Sequence, residues 1–441
     1  MGPTAALSIV SLLAGFAAAR NCANLTIPVS ISARQGLFKD VPFEGNLDAT
    51  TFSQNFNNIG QNYSQVLLQG YQTLTGNYKI AAQFCVPEAG SKTSTIQLLS
   101  HGIGFDKTYW DVPFNNYNYS YTDVALKKGY ATLAIDRFGI GNSSHDDPIN
   151  VVQAQAEVEV LNTITTMLRN KKVPGITGSY TKVIHVGHSF GSIQSYWLSA
   201  LYPNNTDGLV LTGFSVNPAF LPATIAAWNL HIARLNQPLR FGNTSNGRGI
   251  DISAPYRSGK VVGAVQGFLN KVGVKLSSQD IWNEIATTEV ANLIEGYNHS
   301  VTSYNYPSGY LAWSDFTSQQ YTFLLPGYYD LSLGLYAEST KQPVTAGELL
   351  TIGSSPSSSP FTGPVLVVTG QQDAAFCGGD CYANTKGAAS IPAAAAAAFP
   401  KTSKFEAYIQ PNTAHGINFH YNATGAYNVI QSWLGVHGLA A

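Results

Sequence analysis

Residues 181–192 read Thr-Lys-Val-Ile-His-Val-Gly-His-Ser-Phe-Gly-Ser, an apolar run that ends in a Gly-x-Ser-x-Gly pattern centred on Ser189. The run predicts a buried strand, and residues 193–200 predict a helix directly after it. Glycines suit both ends of the pattern, because a side chain at either place would collide where the strand bends into the helix. Ser189 would therefore be held on the outside of a sharp turn, where a serine can act as a nucleophile.

Two later segments supply the partners that such a serine needs. Asp373 follows the continuous apolar run 363–370, which is typical of a central strand buried on both faces. His415 follows residues 404–409, whose alternation of polar and apolar residues predicts a further strand. A serine, a carboxylate and a histidine in this chain order predict a catalytic triad, in which the histidine takes the serine proton and the carboxylate orients the histidine.

Each partner has competitors. Asp380 lies near Asp373 but further from the end of the strand, and Asp373 itself could serve only to cap the next turn. His420 and His437 also lie near the end of the chain, but neither follows a strand directly. The strand exits therefore favour Asp373 and His415.

Attack on a carbonyl places negative charge on its oxygen, and backbone N–H groups can stabilise that charge. One donor is expected to be Phe190, the residue after the proposed nucleophile. The second is expected after the predicted strand 95–100, where the sequence reads His-Gly-Ile-Gly and the glycines let the backbone approach a substrate. We assign this donor to Ile103, with Gly104 as the alternative.

In this arrangement the chain resembles the α/β-hydrolase superfamily over most of residues 70–216 and 361–435. The resemblance implies an α/β fold with a mostly parallel central sheet flanked by helices. Epoxide hydrolases and haloalkane dehalogenases of this superfamily carry aspartate at the position of Ser189, whereas its hydroxynitrile lyases and cofactor-free perhydrolases carry serine. More narrowly, residues 101–106 and 109–111 resemble segments of secreted fungal serine hydrolases.

A long insertion separates two predicted strands of the core. It covers residues 217–360, whereas an ordinary crossover needs about a dozen residues. We therefore predict a cap over the carboxyl edge of the sheet, with the core formed by residues 20–216 and 361–441. Because the insertion is rich in aromatic residues, we expect an apolar or aromatic group in the substrate.

Two segments of low complexity lie near the end of the insertion and beyond it. Residues 353–363, rich in Gly, Ser and Pro, predict a flexible return link to the core. The alanine run Ala393–Ala398 favours a surface helix before the last strand.

The amino-terminal residues and the sequons indicate the secretory route. Residues 1–19 are mostly small and apolar, which predicts a signal peptide cleaved after Ala19. This run is shorter than the ~20 residues needed to cross a bilayer, and no other segment is long and apolar enough, so no integral membrane segment is expected after cleavage. Eight Asn-x-Ser/Thr sequons agree with an extracellular, glycosylated protein. They begin at Asn24, Asn62, Asn118, Asn142, Asn204, Asn243, Asn298 and Asn422.

The four cysteines are expected to form disulfides in that compartment. We favour Cys22 with Cys85, which would tie the amino-terminal arm to an early strand, and Cys377 with Cys381, in the loop that carries Asp373. Three connectivities are possible, and the sequence leaves the other two open. The spacing does not suit a zinc site.

A formal net charge of −1 with 11% charged residues argues against nucleic acid as a partner, because such binding requires a basic patch. No metal or organic cofactor is implied. The sequence favours a secreted serine hydrolase that acts on a small-molecule ester or acyl substrate. Two alternatives stay open. In the first, the same triad performs acyl transfer, lactone formation or lyase chemistry. In the second, the chain is a non-catalytic binding protein on a hydrolase scaffold.

Overall fold

The computed structural model describes residues 20–87, 93–242, 305–385 and 387–441, together with Asn270. The predicted signal peptide, the sequons at Asn243 and Asn298 and much of the predicted cap lie outside the described residues. No helix in the described part of the chain has the length and apolar character needed to cross a bilayer.

The described residues form eleven strands, which belong to two sheets. They are β1 (Asn21–Phe38), β2 (Leu68–Val86), β3 (Thr95–Ser100), β4 (Ala131–Ile135), β5 (Lys182–His188), β6 (Gly208–Thr212), β7 (His231–Ile232), β8 (Tyr310–Ala312), β9 (Val344–Thr345), β10 (Val365–Gly370) and β11 (Phe405–Gln410). The main sheet has eight strands in the order β1-β2-β4-β3-β5-β6-β10-β11. The six strands from β4 to β11 are parallel, whereas β2 pairs antiparallel with both β1 and β4. This mostly parallel sheet confirms the predicted fold.

Helices cover the main sheet, which is why every residue of β3, β4, β6 and β10 is buried. The α-helices are α1 (Asn46–Phe56), α2 (Tyr63–Leu67), α3 (Tyr121–Lys127), α4 (Ala154–Arg169), α5 (Phe190–Leu201), α6 (Leu221–Trp228), α7 (Ala233–Asn236), α8 (Pro238–Phe241), α9 (Phe316–Phe323), α10 (Leu331–Ser339), α11 (Ala346–Thr351), α12 (Ala374–Cys377) and α13 (Ala423–Val436). Short 3₁₀ segments occur at Lys107–Trp110, Pro218–Phe220, Ile352–Ser354, Pro392–Ala398 and Ile417–Phe419.

The alanine run departs from its prediction. It forms the 3₁₀ segment Pro392–Ala398, and its buried residues are Pro392, Ala395 and Ala398. Side chains three residues apart align in a 3₁₀-helix, so these three form one face that packs inward. Ala395 and Ala398 join an apolar cluster that includes Tyr196, which shows that tertiary packing has overridden the α-helical preference of alanine.

Two disulfides join the cysteines in the favoured pairs. Cys22 and Cys85 are direct neighbours in the antiparallel pairing of β1 with β2. Cys377 and Cys381 close the loop that begins with α12, immediately after Asp373. This second disulfide therefore restrains the segment that carries the proposed acid.

The described part of the insertion contains a small antiparallel sheet in the order β7-β8-β9. Its last helix, α11, returns the chain to the core and packs on α4, where the Ala154 N–H donates to Thr351 Oγ1 at 3.0 Å. The Gly347 N–H also donates to the Pro148 carbonyl at 2.7 Å. The insertion is thus joined to the core by buried hydrogen bonds close to the main sheet.

Candidate active site

Ser189 occupies the turn between β5 and α5 in a strained backbone conformation. Its φ is +54° and its ψ is −119°, values that a side-chain-bearing residue rarely adopts. The strain is held by the surroundings, since the Ser189 N–H donates to the Thr212 carbonyl at 2.9 Å. The turn projects a half-buried Ser189 side chain at the carboxyl end of β5.

The glycines on either side of Ser189 are required by close backbone contacts. A Cβ on Gly187 would lie 2.4 Å from the Gly191 carbonyl oxygen, and a Cβ on Gly191 would lie 2.2 Å from the Ser100 carbonyl oxygen. Both obstacles are backbone atoms that cannot rotate away. The Gly-x-Ser-x-Gly pattern is therefore a packing requirement of this turn.

Gly191→Ala is expected to destabilise the fold by about 3 kcal/mol or more, because the added methyl group must displace β3. Chemical denaturation measures the change in the free energy of unfolding. Gly435→Ala is the matched control, since Gly435 lies in α13 with open space around its Cα. That change is expected to stabilise the helix by up to about 1 kcal/mol. Equal stability of the two variants would contradict the packing requirement.

A continuous hydrogen-bond chain joins the three residues favoured by the sequence. Ser189 Oγ lies 2.8 Å from His415 Nε2, and His415 Nδ1 lies 2.6 Å from Asp373 Oδ2. Asp373 and His415 are buried. They come together because β5, β10 and β11 are parallel and end at the same edge of the sheet.

The second carboxylate oxygen of Asp373 is also occupied. Asp373 Oδ1 accepts a hydrogen bond from the Phe376 N–H at 2.8 Å, so Asp373 caps α12 while it contacts His415. The two roles considered for this residue are therefore compatible. The competitor Asp380 is exposed and accepts a hydrogen bond from the Tyr382 N–H instead.

Phe190 and Ile103, whose N–H groups are expected to stabilise the oxyanion, lie close to Ser189. Phe190 and Ile103 line the same cavity as Ser189, and neither N–H has a protein acceptor within the described residues. Gly102 is so close that an added Cβ would lie 2.7 Å from Ser189 Cβ. Gly104, the alternative donor, is outside this cavity lining and packs under the Trp313 ring. The geometry therefore favours Ile103 over Gly104.

Three other histidines have structural partners. His101 Nε2 accepts a hydrogen bond from the Arg137 N–H at 3.0 Å, and burial lowers the pKa of His101 to about 3. His420 Nε2 accepts from the Leu325 and Ala414 N–H groups, and burial lowers its pKa to about 4. The rival His437 contacts Glu406 at 3.1 Å.

His188 is a neighbour that the sequence did not single out. Its ring stacks on Tyr109 with 4.4 Å between the ring centroids and lies 4.9 Å from the His415 ring. Thr212 Oγ1 donates to the Gly187 carbonyl, so it accepts the hydrogen bond from His188 Nδ1. Burial, followed by the charge of His415, holds the pKa of His188 well below its usual range. The neutral His188 ring therefore acts as a packed wall beside His415.

A buried ionic cluster supports the other side of Ser189. Arg137 Nη1 contacts Glu157 Oε1 at 2.9 Å and Glu348 Oε1 at 2.5 Å, and its guanidinium lies 4.8 Å from the centre of the Phe190 ring. Gln194 donates to the other oxygen of Glu157 at 2.7 Å. Burial raises the pKa of Glu157 well above its usual range. The cluster joins α4, α5 and α11 behind Phe190, and no local sequence pattern indicated it.

A cavity of about 440 Å³ opens at Ser189 and His415. Its lining is mainly apolar and comes largely from α5, α6, the return link (residues 353–363) and the alanine run. The lining includes Ile193, Tyr196, Leu221, Trp228, Ile352 and Ala397. Trp228 of the insertion lines the cavity, whereas Trp313 and Phe323 pack on Phe105. The contribution of the alanine run was not predicted.

The family assignment agrees with this architecture. The chain matches the model of the alpha/beta hydrolase family over residues 97–421, and it belongs to that family. A comparison with curated proteins finds no match.

Three solved structures of low sequence identity are among those similar to this chain. A thermophilic esterase from Thermogutta terrifontis is 16% identical, with 82% of this chain and 95% of that chain covered and a TM-score of 0.41. An epoxide hydrolase from Vigna radiata is 14% identical, with 81% and 95% covered and a TM-score of 0.43. Est1E from Butyrivibrio proteoclasticus, solved with ferulic acid, is 12% identical, with 82% and 96% covered and a TM-score of 0.40.

Proposed function

We propose that this protein is a secreted serine hydrolase that cleaves carboxylic esters through an acyl-enzyme on Ser189. The hydrogen-bond chain from Ser189 through His415 to Asp373 carries the proposal. Its contact distances suit proton transfer from the serine to the histidine, with the carboxylate fixing the histidine tautomer.

The proposed reaction has two steps, which are acylation of Ser189 and hydrolysis of the acyl-enzyme. His415 Nε2 takes the Ser189 proton as Oγ attacks the ester carbonyl, and the Phe190 and Ile103 N–H groups hold the oxyanion. The protonated His415 then gives that proton to the leaving alcohol as the ester C–O bond breaks. In the second step His415 takes a proton from water, the resulting hydroxide attacks the acyl-enzyme, and Ser189 recovers its proton as the acid is released.

The cavity favours an apolar acyl group in the substrate. Tyr196, Trp228 and Ile352 provide a large apolar surface next to Ser189, and no lining residue carries a formal charge apart from His415 when it is protonated. A charged acyl group would lose its hydration there without gaining an ionic partner. We also propose that residues 217–360 act as the cap, since Leu221 and Trp228 of that segment form part of the cavity wall.

Secretion is supported by the predicted signal peptide, by two disulfides and by the exposure of the sequons. Of the described sequon asparagines, Asn422 is half-buried and donates to the Pro411 carbonyl at 2.6 Å. The others are exposed, namely Asn24, Asn62, Asn118, Asn142 and Asn204. The resemblance to secreted fungal serine hydrolases agrees with this localisation.

The direct test is mass analysis of the secreted, deglycosylated protein after incubation with a fluorophosphonate. Wild type is expected to gain one adduct that maps to Ser189, and Ser189→Ala is expected to gain none. Hydrolysis of a series of p-nitrophenyl esters by the same preparation tests the reaction itself. Absence of an adduct and of ester hydrolysis in wild type would overturn the proposal in favour of a non-catalytic protein.

Ala397→Phe is expected to shorten the acyl chain that the cavity accepts. Ala397 lines the cavity from its exposed edge, so a phenyl ring can enter the cavity without disturbing the core. The value of kcat/KM for p-nitrophenyl octanoate is expected to fall about tenfold relative to p-nitrophenyl acetate, which corresponds to about 1.4 kcal/mol. Ala396→Phe is the matched control, because Ala396 is exposed and does not line the cavity. Identical chain-length profiles for both variants would contradict an acyl site here.

A further inference from the structure

A second concave surface adjoins the cavity. This groove, of about 680 Å³, lies between residues 56–65, which contain the link from α1 to α2, and residues 349–354 at the end of the insertion. Leu221, Ile352 and Gly353 line both the cavity and the groove. A ligand at Ser189 that extended past this shared edge would enter the groove.

Three polar side chains of the inner cavity, whose lining is otherwise mainly apolar, are committed to the protein. Ser215 Oγ donates to the Phe376 carbonyl at 2.7 Å, Tyr196 Oη to the Pro356 carbonyl at 2.8 Å, and Thr224 Oγ1 to the Phe220 carbonyl at 3.1 Å. Groups paired in this way offer little to a ligand, because a polar ligand atom would have to displace an existing partner. The inner cavity is thus suited to an apolar group.

The lining of the groove is more polar than that of the cavity. Several of its polar side chains have no hydrogen bond to the protein within the described residues, and they are Gln61, Tyr63, Ser64, Gln65 and Ser354. Together they present amide and hydroxyl groups, which both donate and accept hydrogen bonds. None of the residues that line the groove is charged. The groove is therefore matched to a ligand with several neutral hydroxyl groups and not to an ionised one.

We propose that the groove binds the alcohol part of the ester, and that this alcohol is a neutral polyhydroxyl group such as a glycosyl or polyol unit. This inference rests on the proposed function and names its substrate class, an ester between an apolar acid and a sugar-like alcohol. The apolar acyl group occupies the inner cavity and stays on Ser189, whereas the alcohol takes its proton from His415 and leaves along the groove.

The test compares two esters of one acid, methyl hexanoate and the glucose monoester of hexanoic acid. Both give the same acyl-enzyme, so a difference in kcat/KM reports only on the alcohol part. Wild type is expected to prefer the glucose ester by about tenfold, or about 1.4 kcal/mol. Equal kcat/KM values for the two esters would overturn the inference.

Two variants that block the groove test whether the preference for the glucose ester arises there. Ser354→Trp and Gln61→Trp fill the groove from different segments, so a folding defect in one leaves the other as a test. Each is expected to reduce the ratio of the two kcat/KM values to near one. Ser358→Trp is the matched control. Ser358 is exposed in the return link, which also contains Ser354, and it lines neither the cavity nor the groove. A preference that persists in both blocking variants would place the alcohol elsewhere.

Asn62, which begins a sequon, also lines the groove, so the effect of the groove must be distinguished from that of an N-linked glycan. The preference is expected to survive removal of N-linked sugars by an endoglycosidase, and its loss on that treatment would assign it to the glycan and overturn the inference. The proposed function fails separately, because it requires hydrolysis of methyl hexanoate and labelling of Ser189. If both of those fail, the substrate assignment falls with the proposed function.

Discussion

Ser189→Ala is expected to lower kcat for ester hydrolysis by on the order of 10⁶-fold, the largest effect that a single change in this site should have. Alanine keeps the shape of the turn but removes the oxygen that lies 2.8 Å from His415 Nε2. Without that oxygen no acyl-enzyme can form. The Phe190 and Ile103 N–H groups would still polarise a bound carbonyl, so a small residual rate above that in water is expected.

Ser195→Ala is the matched control for this variant. Ser195 is a buried serine on α5, outside the cavity lining, and its hydroxyl donates to the Gly191 carbonyl in the same helix at 2.8 Å. Its removal is expected to change kcat by less than about threefold, since a single hydrogen bond within a helix contributes only about 1 kcal/mol to stability. The steady-state rates of both variants should be compared at equal folded fraction, measured by thermal unfolding. Comparable activity of Ser189→Ala and wild type would remove Ser189 from the mechanism.

The core of the site could be predicted because its determinants are local. A sharp turn needs glycines, so the Gly-x-Ser-x-Gly pattern identifies Ser189 without knowledge of the rest of the fold. Asp373 and His415 each follow a predicted strand, and the carboxyl ends of parallel strands share one edge of the sheet. Ser189 and His415, which are 226 residues apart in the chain, therefore meet at that edge, although β6 and β10 lie between β5 and β11.

The walls of the site were not predictable in the same way, because they depend on long-range packing. Helix propensity favoured an α-helix for the alanine run. The buried residues Pro392, Ala395 and Ala398 instead follow a period of three, and in this arrangement Ala397 lines the cavity. Residues 56–65 carry no pattern that relates them to Ser189. They reach the groove because the chain between the antiparallel strands β1 and β2 forms α1 and α2, and α2 contacts α11. Such contacts join segments whose local sequence is equally compatible with other neighbours.

The roles of Asp373 show why a choice between two local interpretations can be misleading. The sequence offered a helix cap or a histidine partner as alternatives, and the structure shows both contacts at once through the two carboxylate oxygens. A carboxylate can accept two hydrogen bonds in different directions, so one residue fixes both α12 and the His415 ring.

Asp373→Asn should lower kcat by on the order of 10⁴-fold while leaving the fold intact. An asparagine has one acceptor oxygen and one NH₂ donor where Asp373 has two acceptors. If the amide oxygen keeps its hydrogen bond with the Phe376 N–H, the NH₂ group faces His415 Nδ1. His415 must then carry its proton on Nε2, where it can no longer accept the proton of Ser189. The opposite amide orientation would place the NH₂ group against the Phe376 N–H, so the cap on α12 selects the inactive tautomer.

The rate of fluorophosphonate labelling of Ser189 should fall in parallel with kcat in Asp373→Asn, because both reactions require removal of the serine proton. Asp380→Asn is the matched control, since Asp380 is an exposed carboxylate in the same loop that caps a turn through the Tyr382 N–H. That change is expected to alter kcat by less than about twofold, as surface substitutions usually have small effects. A near-normal rate in Asp373→Asn together with a large loss in Asp380→Asn would transfer the acid role to Asp380. Loss of activity together with unfolding of Asp373→Asn would instead show that the fold itself depends on the buried carboxylate.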